Sequence, residues 1–511
     1  MRVEHDDELQ TAEQVQLTDV ESVSAVPEGA PTLVPEQIVL PDQTVDLGFQ
    51  RAPADAPTID IETLGGTLRG STEGDLLRFR GIRYATAARF EVPNPVEPWS
   101  GVREALSDGP MCPQPKFGLS LLALPKRIPP MNEDCFFLNI TRPAGEADAP
   151  RPVMVWIHGG AYVNGAGGGE IYDPSRIARD GDVIVVGFNY RLGVFGFLPI
   201  DGVAPANLGM IDQLTALEWV KQNIARFGGD PLNITLFGQS AGADSIAHLL
   251  AIPEADDLYH RVILQSPPLG LNVGRETLAR QLSAKFVAAL GDAAAGADPR
   301  TAPVLSMLHA QVAAMKGLTG DRLTAGMPYA PTPGVWPIAP SGERAARLAR
   351  RAPHIDAIIG YNRDDFSPFI DAVSVLRVAQ ASKAFRPFTE PVSYALTRRG
   401  FGAPSLKLAR DLAAAGAQVF TYRFDWRPSG TQWGACHCIE LPFFWADEEY
   451  WRGSPMLGGV KWADLDRFGR VLRRTWTTFA RTGRANDISN PNFTLKRAGD
   501  RQGIRRRGGL R

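Results

Sequence analysis

The chain has 511 residues, of which 44% are hydrophobic and 22% charged, a composition that excludes a mostly disordered, collagenous or coiled-coil protein. Four cysteines are too few for a disulfide-built scaffold, and no uncharged apolar run is long enough to form an integral membrane segment. A net charge of −2 argues against a nucleic-acid binder, because binding to phosphates needs a basic surface, so a small-molecule partner is expected.

The two ends of the chain have unbalanced charge. Residues 1–55 contain twelve acidic residues against Arg2 and Arg51 and show no helical or strand periodicity, which predicts a disordered acidic extension. The first ten residues lack the cationic start and the apolar stretch of a secretory signal, so a cytoplasmic protein is favoured over a secreted one. The far end, 496–511, is predicted to be a basic flexible tail.

Between these ends, six apolar runs rich in β-forming residues alternate with helical patterns. Their continuous apolar character predicts strands covered on both faces. Strand and helix in alternation predict an α/β fold with a mostly parallel central sheet flanked by helices, formed as one domain by residues 56–495. Helical insertions after the fourth run are expected to form a cap. The apolar runs are 153–159, 183–189, 234–240, 261–266, 357–362 and 419–424, and the clearest helical patterns are 212–227 and 243–250.

The most specific chemical motif is GQSAG, from Gly238 to Gly242, placed between an apolar run and a helical pattern. A G-x-S-x-G sequence can occur by chance, but its strand-turn-helix context is typical of a nucleophile elbow that exposes Ser240. Upstream, another strand ends in HGGAY, from His158 to Tyr162. Glycine-rich loops are common after strands, yet a loop after this earlier strand is where such an elbow would find its oxyanion donors.

An elbow serine needs a base, and of seven histidines only His437 follows the last strand, as the chain order Ser…acid…His requires. The flanking Cys436 and Cys438 do not have the spacing of a tetrahedral zinc site, so no metal is expected. For the acid, either Asp364 or Asp365 could reach the imidazole, and spacing alone does not choose between them.

The sequence from about Thr58 to about Gly483 resembles the type-B carboxylesterases, a family that includes cholinesterases and bacterial para-nitrobenzyl esterases. The resemblance implies an α/β-hydrolase fold. It also implies a nucleophile, an acid and a base at Ser240, Asp365 and His437, and oxyanion donors at Gly160, Ala161 and Ala241. The motifs that carry it are EDCFFLN (133–139), VWIHGGAY (155–162), NYRLGVFGFL (189–198), NLGMIDQLTALEWVKQNIARFGGDP (207–231), ITLFGQSAGA (234–243) and GACHCIELPF (434–443).

The same resemblance implies three structural pairs. The family's N-terminal disulfide falls on Cys112 and Cys135, which a reducing cytoplasm would keep as thiols. Buried ion pairs are implied for Arg89 with Glu133 and for Arg191 with Asp212, pairs in which loss of one partner leaves a costly unpaired charge.

The function implied is a serine carboxylesterase that forms an acyl-enzyme with small to medium apolar esters and needs no cofactor. Two alternatives are a catalytically inactive cholinesterase-like binding protein and a carbamate-hydrolysing relative. The first is disfavoured because each triad position holds a competent residue. A cholinesterase is disfavoured because the segment between Cys112 and Cys135 contains no Trp for a cation–π contact with choline. Phe366 and Cys438 depart from the family, since both stand where glycine is usual.

Overall fold

The computed structural model describes most of the chain, and all described residues fall within one unit, Thr32–Arg511. The acidic extension predicted over 1–55 lies outside the described residues as far as position 45, and the predicted basic tail lies outside them from position 499. The described residues are 46–115, 122, 127–271, 274–293, 296–316, 318, 327–370, 386–445 and 447–498.

The elements alternate between strands and helices through the middle of the chain. The strands are β1 (Asp46–Leu47), β2 (Thr58–Glu62), β3 (Thr67–Glu73), β4 (Leu76–Arg83), β5 (Ala85–Thr86), β6 (Asn94–Pro95), β7 (Val102–Glu104), β8 (Arg127–Ile128), β9 (Phe137–Pro143), β10 (Arg151–Ile157), β11 (Ile184–Phe188), β12 (Gly229–Gln239), β13 (Arg261–Gln265), β14 (Asp356–Asn362), β15 (Gln418–Phe424), β16 (Ile488–Asn490) and β17 (Phe493–Arg497). The helices are α1 (Ser175–Gly181), α2 (Gly193–Gly196), α3 (Leu208–Asn223), α4 (Ala241–Leu249), α5 (Arg275–Ala293), α6 (Val304–Met315), α7 (Arg344–Arg351), α8 (Ser367–Ile370), α9 (Arg386–Thr397), α10 (Ala403–Ala414), α11 (Leu441–Trp445), α12 (Glu448–Trp451) and α13 (Trp462–Thr482).

A mixed sheet of thirteen strands forms the centre of the described structure, in the order β16-β17-β15-β14-β13-β12-β10-β11-β9-β4-β3-β2, with β7 beside β3. The six apolar runs became β10 to β15, and these central strands pair in parallel. Antiparallel strands extend the sheet on both sides, through the pairs β11·β9 and β15·β17. The predicted α/β architecture is therefore confirmed, with a parallel centre and antiparallel edges.

The sheet separates two hydrophobic cores, and strand β10 shows how. Every residue of β10 is buried, and its side chains alternate between the two faces. Val153, Val155 and Ile157 pack in the core that includes helices α3 and α4. Met154 and Trp156 pack in the core that includes helix α13. Burial on both faces explains why the apolar runs of the sequence are continuous rather than alternating.

The insertion expected after the fourth run is present. Helices α5, α6 and α7 lie between β13 and β14 in the chain, and helices α8 to α10 lie between β14 and β15. None of the described helices is both long and apolar enough to cross a bilayer.

Strand pairing at both ends extends past the predicted domain limits. Asp46 pairs with Arg127 inside the segment 1–55, and Lys496 pairs with Thr421 in β15 at the start of the predicted tail. Both pairings depend on backbone hydrogen bonds to a partner strand, so they need no long hydrophobic run that a sequence pattern would reveal. The division of the chain at 55/56 and 495/496 stays a prediction.

The implied structural pairs differ in burial. Arg191 and Asp212 are buried and meet at 2.6 Å through Nη2 and Oδ1. Arg89 donates from Nε to Glu133 at 2.7 Å, but that pair is only partly buried.

Cys112 and Cys135 are buried as free thiols. A hydrogen bond with Cys112, together with burial, raises the pKa of the Cys135 thiol well above its ordinary value.

Candidate active site

The turn between β12 and α4 holds Ser240 in a strained conformation, with φ of 55° and ψ of −124°. Its amide N–H donates to the carbonyl of Gln265 at 2.9 Å, which fixes the turn against β13. A Cβ atom on Gly242 would lie only 1.9 Å from the carbonyl oxygen of Ile157, so the second glycine of GQSAG is required by close packing. A serine in this strained region is typical of a nucleophile elbow.

The loop after β10 also has an unusual backbone. Gly160 has φ of 110°, and a Cβ atom there would lie 2.0 Å from the carbonyl oxygen of Asn164. Within the described residues, the backbone N–H groups of Gly160, Ala161 and Ala241 donate to no protein acceptor. Unpartnered amides on this loop and at the first residue of α4 can donate hydrogen bonds to a developing oxyanion and so stabilise it.

His437 and Asp365 meet in a fully enclosed position. His437 Nδ1 lies 2.9 Å from Asp365 Oδ1, and the two residues are 2% and 0% exposed. The other carboxylate oxygen of Asp365 accepts from the amide N–H of Asn362 at 2.7 Å. Burial raises the pKa of Asp365 above its ordinary value, while the hydrogen bonds from His437 and Asn362 act in the opposite direction.

The neighbouring carboxylate of Asp364 has different partners. It pairs with Arg427 at 2.7 Å and accepts a hydrogen bond from the amide of Ala435 at 2.9 Å. The structure therefore places Asp365, and not Asp364, against His437, a choice that residue spacing left open. Asp364 thus contacts Arg427 and the backbone of Ala435, whereas Asp365 contacts the imidazole of His437.

The second nitrogen of His437 is engaged by a residue that the sequence motif did not single out. Nε2 lies 3.1 Å from the side-chain amide nitrogen of Gln239, which directly precedes Ser240. Since Nδ1 of His437 faces a carboxylate, Nε2 is the acceptor and the amide is the donor. Among the described residues, no hydrogen bond joins Ser240 Oγ to His437, so the elbow and the His–Asp pair are adjacent in the fold but not linked by such a bond.

Two further features around His437 escaped sequence reasoning. The rings of Phe369 and Phe401 lie 5.5 and 5.1 Å from the imidazole, measured between centroids. Glu440 is 1% exposed, and burial, then the charge of Asp365, raises its pKa to about 8. The only sequence signal for Glu440 is its position in an apolar stretch, three residues after His437.

The cysteines that flank His437 are buried thiols. Cys438 adopts φ of 71°, the left-handed region in which glycine is favoured, at the position where the family usually has glycine. Burial raises the pKa of both thiols well above the ordinary value. Within the described part of the chain, no group of His, Cys, Asp and Glu side chains is arranged to hold a metal ion.

Comparison with known proteins identifies the family of this chain. The model of the carboxylesterase family matches residues 55–390. A probable N-octanoylanthranilate hydrolase of Rhodococcus erythropolis is 36% identical over 433 residues, covering 83% of this chain and 93% of the relative. The para-nitrobenzyl esterase of Bacillus subtilis is 34% identical over 453 residues, covering 83% of this chain and 90% of the relative.

A solved structure of a PNB esterase superimposes with a TM-score of 0.71 at 29% identity, covering 86% of this chain and 97% of that one. The similarity confirms the α/β-hydrolase fold predicted from the sequence. With the family match over more than half of the chain, the comparisons show that the protein belongs to the carboxylesterase family and is a carboxylic ester hydrolase.

Proposed function

We propose that the protein hydrolyses esters with Ser240 as nucleophile, His437 as base and Asp365 as the acid that orients the base. The observation that carries the proposal is the buried 2.9 Å contact between His437 Nδ1 and Asp365 Oδ1, beside a serine held in a strained elbow. A carboxylate on Nδ1 fixes the tautomer in which Nε2 is free to accept a proton.

The reaction begins when the Ser240 hydroxyl replaces the Gln239 amide as the partner of His437 Nε2. Catalytic hydrogen bonds often form only once substrate is bound, so the contact with Gln239 is compatible with this step. His437 then takes the hydroxyl proton as Oγ attacks the ester carbonyl carbon. The resulting imidazolium is stabilised by the Asp365 carboxylate.

The tetrahedral oxyanion is received by the amides of Gly160, Ala161 and Ala241, which have no protein acceptor within the described residues. When the carbonyl re-forms, the C–O bond to the alcohol breaks and His437 returns its proton to the leaving oxygen. A water molecule then attacks the acyl-enzyme with the same proton transfers and releases the carboxylic acid.

The substrate class follows from the walls of the site. Phe369 and Phe401 flank His437, and Phe366 packs in the same apolar cluster. An apolar wall beside the base favours apolar esters over charged ones. We propose that their acyl groups are small to medium in size. Neither a catalytically inactive binding protein nor a carbamate hydrolase is favoured by a specific contact.

The experiment that tests this substrate class is hydrolysis of p-nitrophenyl esters from acetate to palmitate by the purified protein. We expect kcat/KM to be greatest for short to medium acyl chains and to fall steeply for palmitate. A maximum at palmitate, or a preference for a matched ester with a charged acyl group, would contradict the proposal.

A further inference from the structure

The residue that follows the proposed oxyanion loop is tied to the helix that carries the nucleophile. Tyr162 Oη donates a hydrogen bond to Asp244 Oδ2 at 2.8 Å, and both residues are 0% exposed. Tyr162 directly follows Ala161, and Asp244 lies in the first turn of α4, which begins at Ala241. The bond therefore connects the two backbone segments that carry the proposed oxyanion donors.

The loop needs such support because its backbone is strained. Ala161 and Tyr162 have φ of 55° and 62°, in the left-handed region that residues other than glycine rarely adopt. Consecutive residues in this region persist only where surrounding contacts hold them. The Tyr162 carbonyl accepts from the amide of Gly193 at 2.7 Å, and its ring packs on Phe197 at 4.7 Å. The bond to Asp244 connects this residue to the elbow helix α4.

The charges around the bond favour a phenol that donates to a carboxylate. Burial, then the charge of Asp244, raises the pKa of Tyr162 well above its ordinary value, so the phenol keeps its proton. His248 Nε2 lies 3.7 Å from Asp244, but burial lowers the pKa of His248 to about 4, so this ring is neutral at pH 7. Positive charge comes instead from Arg275 and Arg344, which interact with Asp244 electrostatically. Hydrogen bonds to a carboxylate are stronger than those between neutral groups.

Further hydrogen bonds hold the phenol in place. Ser245 Oγ donates to Tyr162 Oη at 3.3 Å, and Gln213 donates from Nε2 to Ser245 Oγ at 3.1 Å. Helices α3 and α4 are thus both connected to the oxyanion loop through one buried hydroxyl. A satisfied network of buried hydrogen bonds is rigid and favours a single arrangement. Such a network can hold two backbone segments at a fixed distance from each other.

We propose that Tyr162 and Asp244 are positioning residues that set the spacing between the loop donors, Gly160 and Ala161, and the elbow donor, Ala241. This inference rests on the oxyanion role proposed above for these three amides. An oxyanion hole binds the charged tetrahedral species more tightly than the neutral ester. Loss of the hydrogen bond between Tyr162 and Asp244 should therefore lower kcat and weaken the binding of transition-state analogues, with little change in KM.

The test uses Tyr162→Phe, which keeps the ring and removes only the hydroxyl. We expect kcat to fall by about 10- to 100-fold, because misplaced donors stabilise the oxyanion poorly. The inhibition constant of a trifluoromethyl ketone, which adds reversibly to a serine and forms an oxyanion, should rise by a similar factor. Asp244→Ala should lower kcat and inhibitor affinity in the same direction, and the double variant should be less impaired than the product of the two single effects, because both single changes remove the bond between Tyr162 and Asp244.

Two comparisons separate positioning from general stability. Asp244→Asn keeps an acceptor oxygen and should restore kcat to within a few-fold of the wild type. Tyr84→Phe is a matched control, since Tyr84 is also buried and donates to the carbonyl of Asn189 at 2.7 Å rather than to a residue of α4. This control should lower the thermal midpoint at most, with kcat and inhibitor affinity unchanged.

Wild-type kcat and inhibitor affinity in Tyr162→Phe would overturn the inference, as would an Asp244→Asn variant as impaired as Asp244→Ala. If Tyr162→Phe does not fold, the kcat and inhibitor affinity of Asp244→Ala and Asp244→Asn test the same inference. Any of these results would leave ester hydrolysis at Ser240 standing, because the wild-type protein would still form its covalent adduct at that residue.

Discussion

His437 Nδ1 and Asp365 Oδ1 lie 2.9 Å apart, and neither side chain has appreciable contact with solvent. The adjacent Asp364 faces the guanidinium of Arg427 instead, at 2.7 Å. Two consecutive aspartates thus have different environments, and only one of them can orient the imidazole. This difference gives a direct test of the proposed acid.

Asp365→Asn should lower kcat by about 10³- to 10⁴-fold with little change in KM, because the amide would favour the wrong imidazole tautomer. Asp364→Asn is the matched control and should keep kcat within a few-fold of the wild type. Steady-state kinetics with p-nitrophenyl butyrate measure both. If Asp364→Asn proved the more damaging change, Asp365 would lose its assignment.

The raised pKa of Glu440 should give the free energy of unfolding an unusual dependence on pH. Its pKa is raised from 4.5 to about 8, so the folded protein keeps this proton over a range in which the unfolded chain has lost it. The free energy of unfolding should therefore fall as pH rises from about 4.5 to 8. Glu440→Gln removes the titrating group and should reduce that fall by an amount on the order of a few kcal/mol.

Urea unfolding of the wild type and Glu440→Gln at pH 5 and pH 8 provides the measurement. We expect the variant to gain stability relative to the wild type as pH rises. Parallel pH dependences in the two proteins would mean that Glu440 is ionised in the folded state at both pH values.

The buried pair between Arg191 and Asp212 should matter far more for stability than a surface pair. Asp212 accepts hydrogen bonds from the Arg191 backbone N–H, Nε and Nη2, so Asp212→Asn leaves a buried cation without its countercharge. We expect the free energy of unfolding to fall by about 3–5 kcal/mol. Asp60→Asn, which breaks the exposed pair with Arg69, should have no measurable effect in the same denaturant titration.

The four buried cysteines are expected to be thiols, including Cys112 and Cys135. Without reductant, thiol titration of the unfolded protein should find four groups per chain, and dithiothreitol should leave the thermal midpoint unchanged. Replacement of Cys112 and Cys135 by serine should leave esterase activity intact. A count of two thiols, together with a midpoint several degrees lower on reduction, would instead establish the family's disulfide.

The sequence predicted the centre of the fold well for a physical reason. Strands buried on both faces leave continuous apolar runs, and these became β10 to β15. The antiparallel strands β2 and β3 were not predicted, because β2 has no buried residue and its Ile59 and Ile61 alternate with polar residues rather than forming a continuous apolar run. The GQSAG motif likewise predicted the strand-turn-helix around Ser240, because local packing requires the glycines there.

Other parts of the site depend on contacts between distant segments, which a pattern does not show. Asp364 and Asp365 are indistinguishable by spacing, and only the family resemblance pointed to Asp365. Gln239 reaches His437 across 198 positions of sequence, and Tyr162 reaches Asp244 across 82. Such side-chain pairs are set by how the strands and loops are brought together.

The most direct test of the account is covalent labelling by a fluorophosphonate, followed by peptide mapping of the adduct. We predict one adduct per chain, located on Ser240, with loss of esterase activity in proportion to labelling. Ser240→Ala should remain folded, take up no label and lose nearly all activity. Labelling at another residue, or more than a few per cent of wild-type kcat in Ser240→Ala, would contradict the assignment of Ser240 as nucleophile.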